Sequence, residues 1–286
     1  MTETTKPYRS VLYIPGSKDR ALDKARTLAA DAIIFDLEDA VAADEKANAR
    51  ETLAAALAAG GYGARAKIVR VNGLDTDWGA DDVAMAAKAK PDAILLPKVG
   101  SAADLDAVAE LAPGIDLWAM IETPAGILHA EEIAAHPRLK GMVMGTNDLA
   151  KELNCRFRAD RLPLITSLLI ALLAARAHGV TCVDGVYNAF KDEDGLRAEC
   201  EQGRDMGFDG KTLIHPAQLA IANAAFAPSE DEVDLARRQI EAFETAEADG
   251  QGVAVLDGRI VENLHVATAR ATLARAAAIA ALELAQ

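Results

Sequence analysis

Aromatic residues are scarce in this chain of 286 residues, at 4% of the total, so bulky rings cannot be what fills its interior. Positive charge is also short. Lysine and arginine number 30 against 44 acids, a formal net charge of -14, which argues against nucleic acid or an anionic membrane as partner, since both need cationic surface. A small basic cleft for a phosphorylated ligand stays compatible with that balance. Cysteines number 3 (Cys155, Cys182 and Cys200) and are widely spaced. They read as reduced thiols of a cytoplasmic protein with no disulfide framework, and Cys182, inside a strand-like run, reads as core packing. No apolar run is long enough to span a bilayer, and Met1 to Ser10 is polar with no signal-peptide core. The histidines at 129, 136, 178, 215 and 265 are scattered. With no His-x-x-x-His or Cys-x-x-Cys spacing, zinc is not expected.

What is present is an alanine-rich chain with 51% hydrophobic residues. Short apolar runs bounded by polar residues or glycine mark strands at Ser10–Ile14, Ala32–Phe35, Lys67–Val71, Ala93–Leu96, Leu117–Ile121, Gly141–Met144, Thr181–Val186 and Lys211–Ile214. Helical segments such as Asp19–Ala30, Asp44–Ala59, Asp104–Leu111 and Ile165–His178 lie between them. Strand alternating with helix implies parallel strands and right-handed crossovers, and this number of units predicts an α/β protein, a (β/α)8 TIM barrel over residues 1–227. A doubly wound open sheet is the alternative, disfavoured because no Gly-x-Gly-x-x-Gly follows the first strand. After Ala227-Pro228 the pattern changes. Ser229-x-x-Glu232 is a capping box opening a helix to about Ala248, Val253–Glu262 reads as a hairpin turning at Asp257-Gly258, and an alanine-rich helix runs from His265 to Leu284. Residues 228–286 have too little core to stand alone. Their place after the last strand suits a lid.

In a barrel of this kind the C-terminal strand ends carry the chemistry. The phrase Ala32-Ile33-Ile34-Phe35-Asp36-Leu37-Glu38-Asp39-Ala40-Val41 runs apolar residues straight into three carboxylates. Acids so close raise one another's pKa unless cations or donors compensate, although a helix N-terminus also welcomes acids. Arg70, Asn72, Lys98, Glu122, Asn147 with Asp148, Asp184 with Tyr187, and His215 fall at the other strand ends. Few carboxylates plus water is the preference of Mg²⁺. Glu122 and Asp148 are therefore expected to bind a metal directly, with Glu38 and Asp39 holding its waters. The competing reading pairs these acids with Arg70 and Lys98 in a structural ion network. Arg70 beside a metal would clamp a substrate carboxylate through two parallel hydrogen bonds. Tyr13, Lys18, Arg20 and Lys24 form a cationic rim with one ring, suited to the phosphates and adenine of a nucleotide-like carrier.

Taken in order, Arg9-Ser-Val-Leu-Tyr-Ile-Pro-Gly-Ser17, Phe35-Asp-Leu-Glu-Asp-Ala-Val41, Arg70-Val-Asn72, Leu96-Pro-Lys98, Ile121-Glu-Thr-Pro124, Gly145-Thr-Asn-Asp-Leu149 and Gly210-Lys-Thr-Leu-Ile-His-Pro216 resemble the citrate lyase β-subunit/malyl-CoA lyase family of the HpcH/HpaI aldolase superfamily. The resemblance covers nearly the whole chain. It implies a (β/α)8 barrel whose C-terminal lid closes over a neighbouring subunit's site, in homotrimers or hexamers. It implies Mg²⁺, with Mn²⁺ as substitute, on Glu122 and Asp148, and Glu38 and Asp39 at the metal's waters. Arg70 then matches the arginine at the substrate's oxygenated end. Tyr13, Lys18 and Lys24 match CoA-contacting positions, Ile214, His215 and Pro216 match the loop along the CoA arm, and the Asn147 backbone would contact the substrate.

One departure stands out. Family lyases carry Gly-x-(Met/Val)-(Ile/Val)-Asp in the lid, where the aspartate exchanges a proton with the acetyl-CoA methyl carbon. Here the segment is Gly258-Arg-Ile-Val-Glu262. The extra methylene displaces the carboxylate by more than about an ångström, a misplacement that can cost on the order of a hundredfold in rate. Within the family, the chain looks most like the branch that hydrolyses (3S)-malyl-CoA. The resemblance therefore implies Mg-dependent thioester hydrolysis with Glu262 and Arg70 as catalytic residues. The alternative is C–C cleavage of malyl-CoA, β-methylmalyl-CoA or citramalyl-CoA to acetyl- or propionyl-CoA plus a 2-oxoacid. A non-catalytic CoA-ester-binding subunit is the remaining reading.

Overall fold

The computed structural model describes residues 6–286, and contacts divide the chain into one compact unit from Tyr8 to Phe226 and another from Ala227 to Ala285. In the first, eight strands close a parallel barrel in chain order: β1 (Ser10–Pro15), β2 (Ala32–Asp36), β3 (Ala66–Arg70), β4 (Ala93–Leu96), β5 (Asp116–Ile121), β6 (Leu139–Met144), β7 (Thr181–Asp184) and β8 (Gly210–Leu213). Around it run α1 (Asp19–Ala25), α2 (Lys46–Ala59), α3 (Gly79–Ala89), α4 (Ala102–Leu111), α5 (Pro124–Leu128), α6 (Ala130–Ala134), α7 (Thr146–Glu152), α8 (Leu162–Ala177), α9 (Glu193–Met206) and α10 (Leu219–Phe226). The barrel reading of the sequence holds.

Because side chains alternate along a strand, each strand feeds two cores. Val11, Ala32, Ile34, Ala66, Ile68, Ala93, Leu95, Val143 and Val183 fill the barrel, while Leu12, Ile33, Phe35, Val69 and Ile94 pack outward under the helices. The small interior alanines make room for one large ring, Trp118, which is 2% exposed. Gly141 completes that space, since a Cβ there would meet the indole at 2.2 Å.

Element ends differ from the sequence reading for local reasons. Helix α1 stops at Ala25 rather than Ala30: Arg26 Nε turns to the Gly60 carbonyl (2.8 Å) and the Thr27 hydroxyl donates to the Lys24 carbonyl (3.0 Å). Helix α4 starts two residues before Asp104, whose carboxylate accepts the Gly100 and Ser101 N–H groups at 2.8 and 2.9 Å. Helix α8 starts at Leu162, with a proline in its first turn, where the missing N–H costs nothing.

The second unit consists of α11 (Glu230–Ala248), β9 (Ala254–Leu256), β10 (Arg259–Val261) and α12 (Asn263–Leu284). Ser229 and Glu232 form the expected reciprocal cap (2.7 and 3.2 Å). Asp257 and Gly258 both take left-handed φ, 50° and 74°, as a two-residue hairpin turn of the primed type requires. Phe243, Ala246, Ala254, Val261 and Val266 make this unit's own small core. Among the described residues no helix is long and apolar enough to cross a membrane.

Candidate active site

Strand alternation decides which strand-end residues face inward. Asp36 has the parity of Ala32 and Ile34, Arg70 that of Ala66 and Ile68, and Glu122 that of Trp118 and Met120, all interior positions. These side chains meet at the C-terminal mouth, around a cavity of about 330 Å³ that Tyr13, Asp39, Arg70, Glu122, Asn147 and Asp148 help to line, with Ile214 at its edge.

Glu122 is 2% exposed, and its Oε1 accepts the Lys98 backbone N–H at 2.8 Å. Lys98 adopts a left-handed φ of 51°, the conformation in which that N–H faces the carboxylate. Its ammonium donates to Glu38 Oε1 at 2.8 Å and lies 3.9 Å from Asp148 Oδ2. Burial pushes the Glu122 carboxyl up to about 7; Lys98 opposes the shift, and the neighbouring Glu38 and Asp148 add to it. Burial raises Glu38 as well, against Arg70 and Lys98. Burial would lower the Lys98 ammonium, but Glu38 lifts it to about 12.

Arg70 is 6% exposed, and its forked edge is already taken. Nε and Nη2 donate to the two Asp36 oxygens at 2.8 and 2.6 Å. Nη1 lies 2.8 Å from Glu38 Oε2, outside hydrogen-bonding angles, and donates to Asp39 Oδ2 at 3.4 Å and to Met120 Sδ at 3.5 Å. The expected two-pronged clamp on a substrate carboxylate is therefore corrected: Asp36 holds that edge, and the Nη1 end is what the cavity has. Tyr13 also departs from expectation. It does not join Lys18, Arg20 and Lys24 on a rim, because β1 alternation turns it inward, where its ring packs against the Arg70 guanidinium (4.9 Å from centroid to Cζ). Lys18, Arg20 and Lys24 are exposed at and along α1.

Asn147 lies in the first turn of α7 and exchanges amide hydrogen bonds with Asn188 (2.8 and 3.3 Å). His215 and Pro216 follow the cavity-lining Ile214. The His215 Nδ1 accepts the Ala217 N–H at 3.1 Å, and its ring lies 4.7 Å from that of Phe190. Lys46, buried beneath the Glu38 loop, donates to the Leu37 and Glu38 carbonyls at 2.8 and 2.7 Å and lies 5.3 Å from the half-buried Trp78 ring. Glu262 belongs to the other unit, where it is exposed just ahead of α12 and its N–H donates to His265 Nδ1 at 3.0 Å.

The donors suit a hard divalent cation completed by water. Glu122 and Asp148 present carboxylate oxygens to one cavity, and the raised Glu122 pKa marks a buried carboxylate short of positive charge. Gly145 keeps the space beside it clear, since a Cβ there would lie 2.4 Å from Glu122 Oε2. Among the described residues no three His, Cys, Asp or Glu side chains gather as a metal-holding group, so solvent or substrate would supply the remaining ligands. The sequence places Asp36 with Glu38 and Asp39 at a strand end but assigns it no role; its parity with Ile34 is the signal that turns it inward to Arg70.

The family model described as HpcH/HpaI aldolase/citrate lyase matches residues 9–216. The chain is 70% identical to a (3S)-malyl-CoA thioesterase of Cereibacter sphaeroides, over 98% of this chain and 99% of that protein. It is 39% identical to the citrate lyase subunit beta of Escherichia coli, over 95% and 94% of the two. It is 36% identical to an L-malyl-CoA/beta-methylmalyl-CoA lyase of C. sphaeroides, over 96% of each. Among solved structures, CitE of Mycobacterium tuberculosis in complex with magnesium, acetoacetate and coenzyme A superposes with a TM-score of 0.80 at 32% identity, covering 95% of this chain and 98% of that one.

Proposed function

Because the chain belongs to the HpcH/HpaI aldolase/citrate lyase family, we propose that it hydrolyses (3S)-malyl-CoA to malate and free CoA. The observation that carries hydrolysis over C–C cleavage is the likeness to the thioesterase, 70% over nearly the full length against 36% for the lyase.

Glu122 and Asp148 would hold Mg²⁺, with Glu38 and Asp39 at its waters; support comes from their donor chemistry and from the magnesium in the CitE complex. When bound, Mg²⁺ supplies positive charge to the carboxylate and hydroxyl oxygens of the malyl group. Arg70 Nη1 exchanges its long contacts to Asp39 Oδ2 and Met120 Sδ for the malyl carboxylate, and the Asn147 backbone borders it. Lys18 and Lys24 meet the phosphates of CoA, while Ile214, His215 and Pro216 flank its arm. The base is read from the family's lid motif, whose terminal carboxylate is matched here by Glu262 of Gly258-Arg-Ile-Val-Glu262. We assign that role to Glu262, brought by the C-terminal unit of another copy in a homo-oligomer. Its carboxylate takes a proton from water as the water oxygen bonds to the thioester carbonyl carbon. The C–S bond then breaks, the thiolate is protonated, and malate and the CoA thiol leave.

The test incubates the protein with (3S)-malyl-CoA and Mg²⁺ and quantifies malate, glyoxylate, free CoA and acetyl-CoA together. Malate with free CoA and no glyoxylate is the expected result; glyoxylate matched by acetyl-CoA would establish the lyase reading instead. Glu262→Gln should lower kcat by about a hundredfold or more with little change in KM, and undiminished hydrolysis would remove Glu262 from the mechanism.

A further inference from the structure

The two oxygens of Asp36 accept four hydrogen bonds. Oδ1 takes Arg70 Nε at 2.8 Å and the Glu38 N–H at 2.9 Å. Oδ2 takes Arg70 Nη2 at 2.6 Å and the Ala40 N–H at 3.1 Å. The residue is 1% exposed. A carboxylate with this many donors has little left for a metal or a substrate, so its work is done through its partners. Those partners belong to two different parts of the site. One is the Arg70 guanidinium, whose edge Asp36 fixes and whose face lies against Tyr13. The other is the backbone of the loop that carries Glu38 and Asp39. Asp36 and Arg70 are register partners on β2 and β3, so one buried group sets the distance between the substrate-facing cation and the acid pair.

The geometry points to Asp36 as a positioning residue for the reaction proposed above, an inference that rests on Arg70 meeting the malyl carboxylate. Asp36 ties up the forked edge of Arg70, leaves Nη1 held only by the long contacts to Asp39 Oδ2 (3.4 Å) and Met120 Sδ (3.5 Å) that a substrate oxygen can replace, and holds the Glu38–Asp39 loop in register with it. Replacing it by asparagine sets an amide N–H₂ against guanidinium donors and frees the fork to rotate.

The test is a double-mutant cycle of D36N, R70K and D36N/R70K. Each variant is read as kcat and KM for CoA release, normalised to folded protein by circular dichroism, and in parallel as affinity for free (S)-malate with Mg²⁺ by calorimetry. D36N should lower kcat/KM about a hundredfold. The double variant should match R70K within about twofold, because both changes disable one unit. An Asp36 that acts independently of Arg70 would give costs that multiply, and that outcome, or D36N retaining near-wild-type kcat/KM and malate affinity, overturns the inference. If D36N does not fold, D36E keeps the charge, moves it by one methylene and enters the same cycle. The malate arm involves no thioester chemistry. Absence of hydrolysis in the wild type would therefore defeat the proposed function while leaving the Asp36 cycle readable in malate affinity, where D36N and D36N/R70K should again match R70K within about twofold if the inference holds.

Discussion

Two networks of buried carboxylates and cations sit at the same strand ends on different parts of the barrel. At β7 and β8, Asp184 accepts Arg161 Nη1 at 2.8 and 2.7 Å and lies 3.3 Å from Lys211 Nζ, which also donates to Glu199 at 2.6 Å. Two acids meet two cations, and the Asp184 and Lys211 side chains are both 0% exposed. At β2 to β6, Asp36, Glu38, Asp39, Glu122 and Asp148 outnumber Arg70, Lys98 and the underlying Lys46 among the described residues, and all but Glu38 border the cavity. The consequence is read in opposite pKa directions. Burial pushes Asp184 up, yet Lys211 and Arg161 outweigh it and hold its carboxyl below the usual range. Glu122 rises to about 7 because burial outweighs its partners. Balanced charge, sealed at Asp184 and Lys211, builds the wall; acid in excess beside a cavity makes a place for a cationic or hydroxylated ligand.

The sharpest way to break this contrast is to neutralise one member of each network. Glu122→Gln should cost about a thousandfold in turnover, equivalent to several kcal/mol of lost transition-state stabilisation. Without divalent ions its melting temperature should hold or rise, because an undercompensated buried charge is gone. A fall in melting temperature with retained turnover would place Glu122 in the wall instead. Asp184→Asn should do the reverse. Leaving Lys211 and Arg161 short of a counter-charge should destabilise the fold by about 3–5 kcal/mol in denaturant titrations, with KM unchanged for the protein that remains folded.

A smaller effect sharpens the same contrast through pH. The Glu122 carboxyl is raised from 4.5 to about 7 in the folded chain, so between those values the folded state binds more protons than the unfolded one. Stability should therefore fall as pH rises across that window, by on the order of 3 kcal/mol. Asp184 is depressed below 3.8, so its contribution is present above that value and is lost as pH falls through the lower folded pKa. Thermal melts in chelator from about pH 3 to about pH 8 should show both limbs, with E122Q flattening the upper one and D184N the lower. A single limb common to both variants would mean that the networks are not electrostatically separate.

Much of this arrangement was legible beforehand. The apolar runs located all eight strands to within a few residues, since burial on both faces of a barrel strand leaves an unmistakable apolar stretch. Ser229, Glu232, Asp257 and Gly258 announced their cap and turn because each has a local backbone reason. The unread part depends on which neighbour a side chain meets. Arg70 could be placed at a strand end, but its fork could be assigned to Asp36 only from the β2–β3 register. Nearness in sequence groups Tyr13 with Lys18 and Lys24, but alternation along β1 turns it into the barrel. Arg161, with its φ of 52°, gave no sign in sequence that it would reach Asp184.

The scarcity of aromatic rings noted at the outset leaves the molecule optically simple. Its two indoles stand at different depths: Trp118 is packed among the interior side chains with the Tyr8 ring 5.0 Å away, and Trp78 lies beside the ammonium that grips the Glu38 loop. Emission from Trp78 should follow any ligand that moves that loop, while Trp118 keeps a constant signal. The chain thus carries its own indicator and its own reference lamp, and Trp118→Phe would isolate the first from the second.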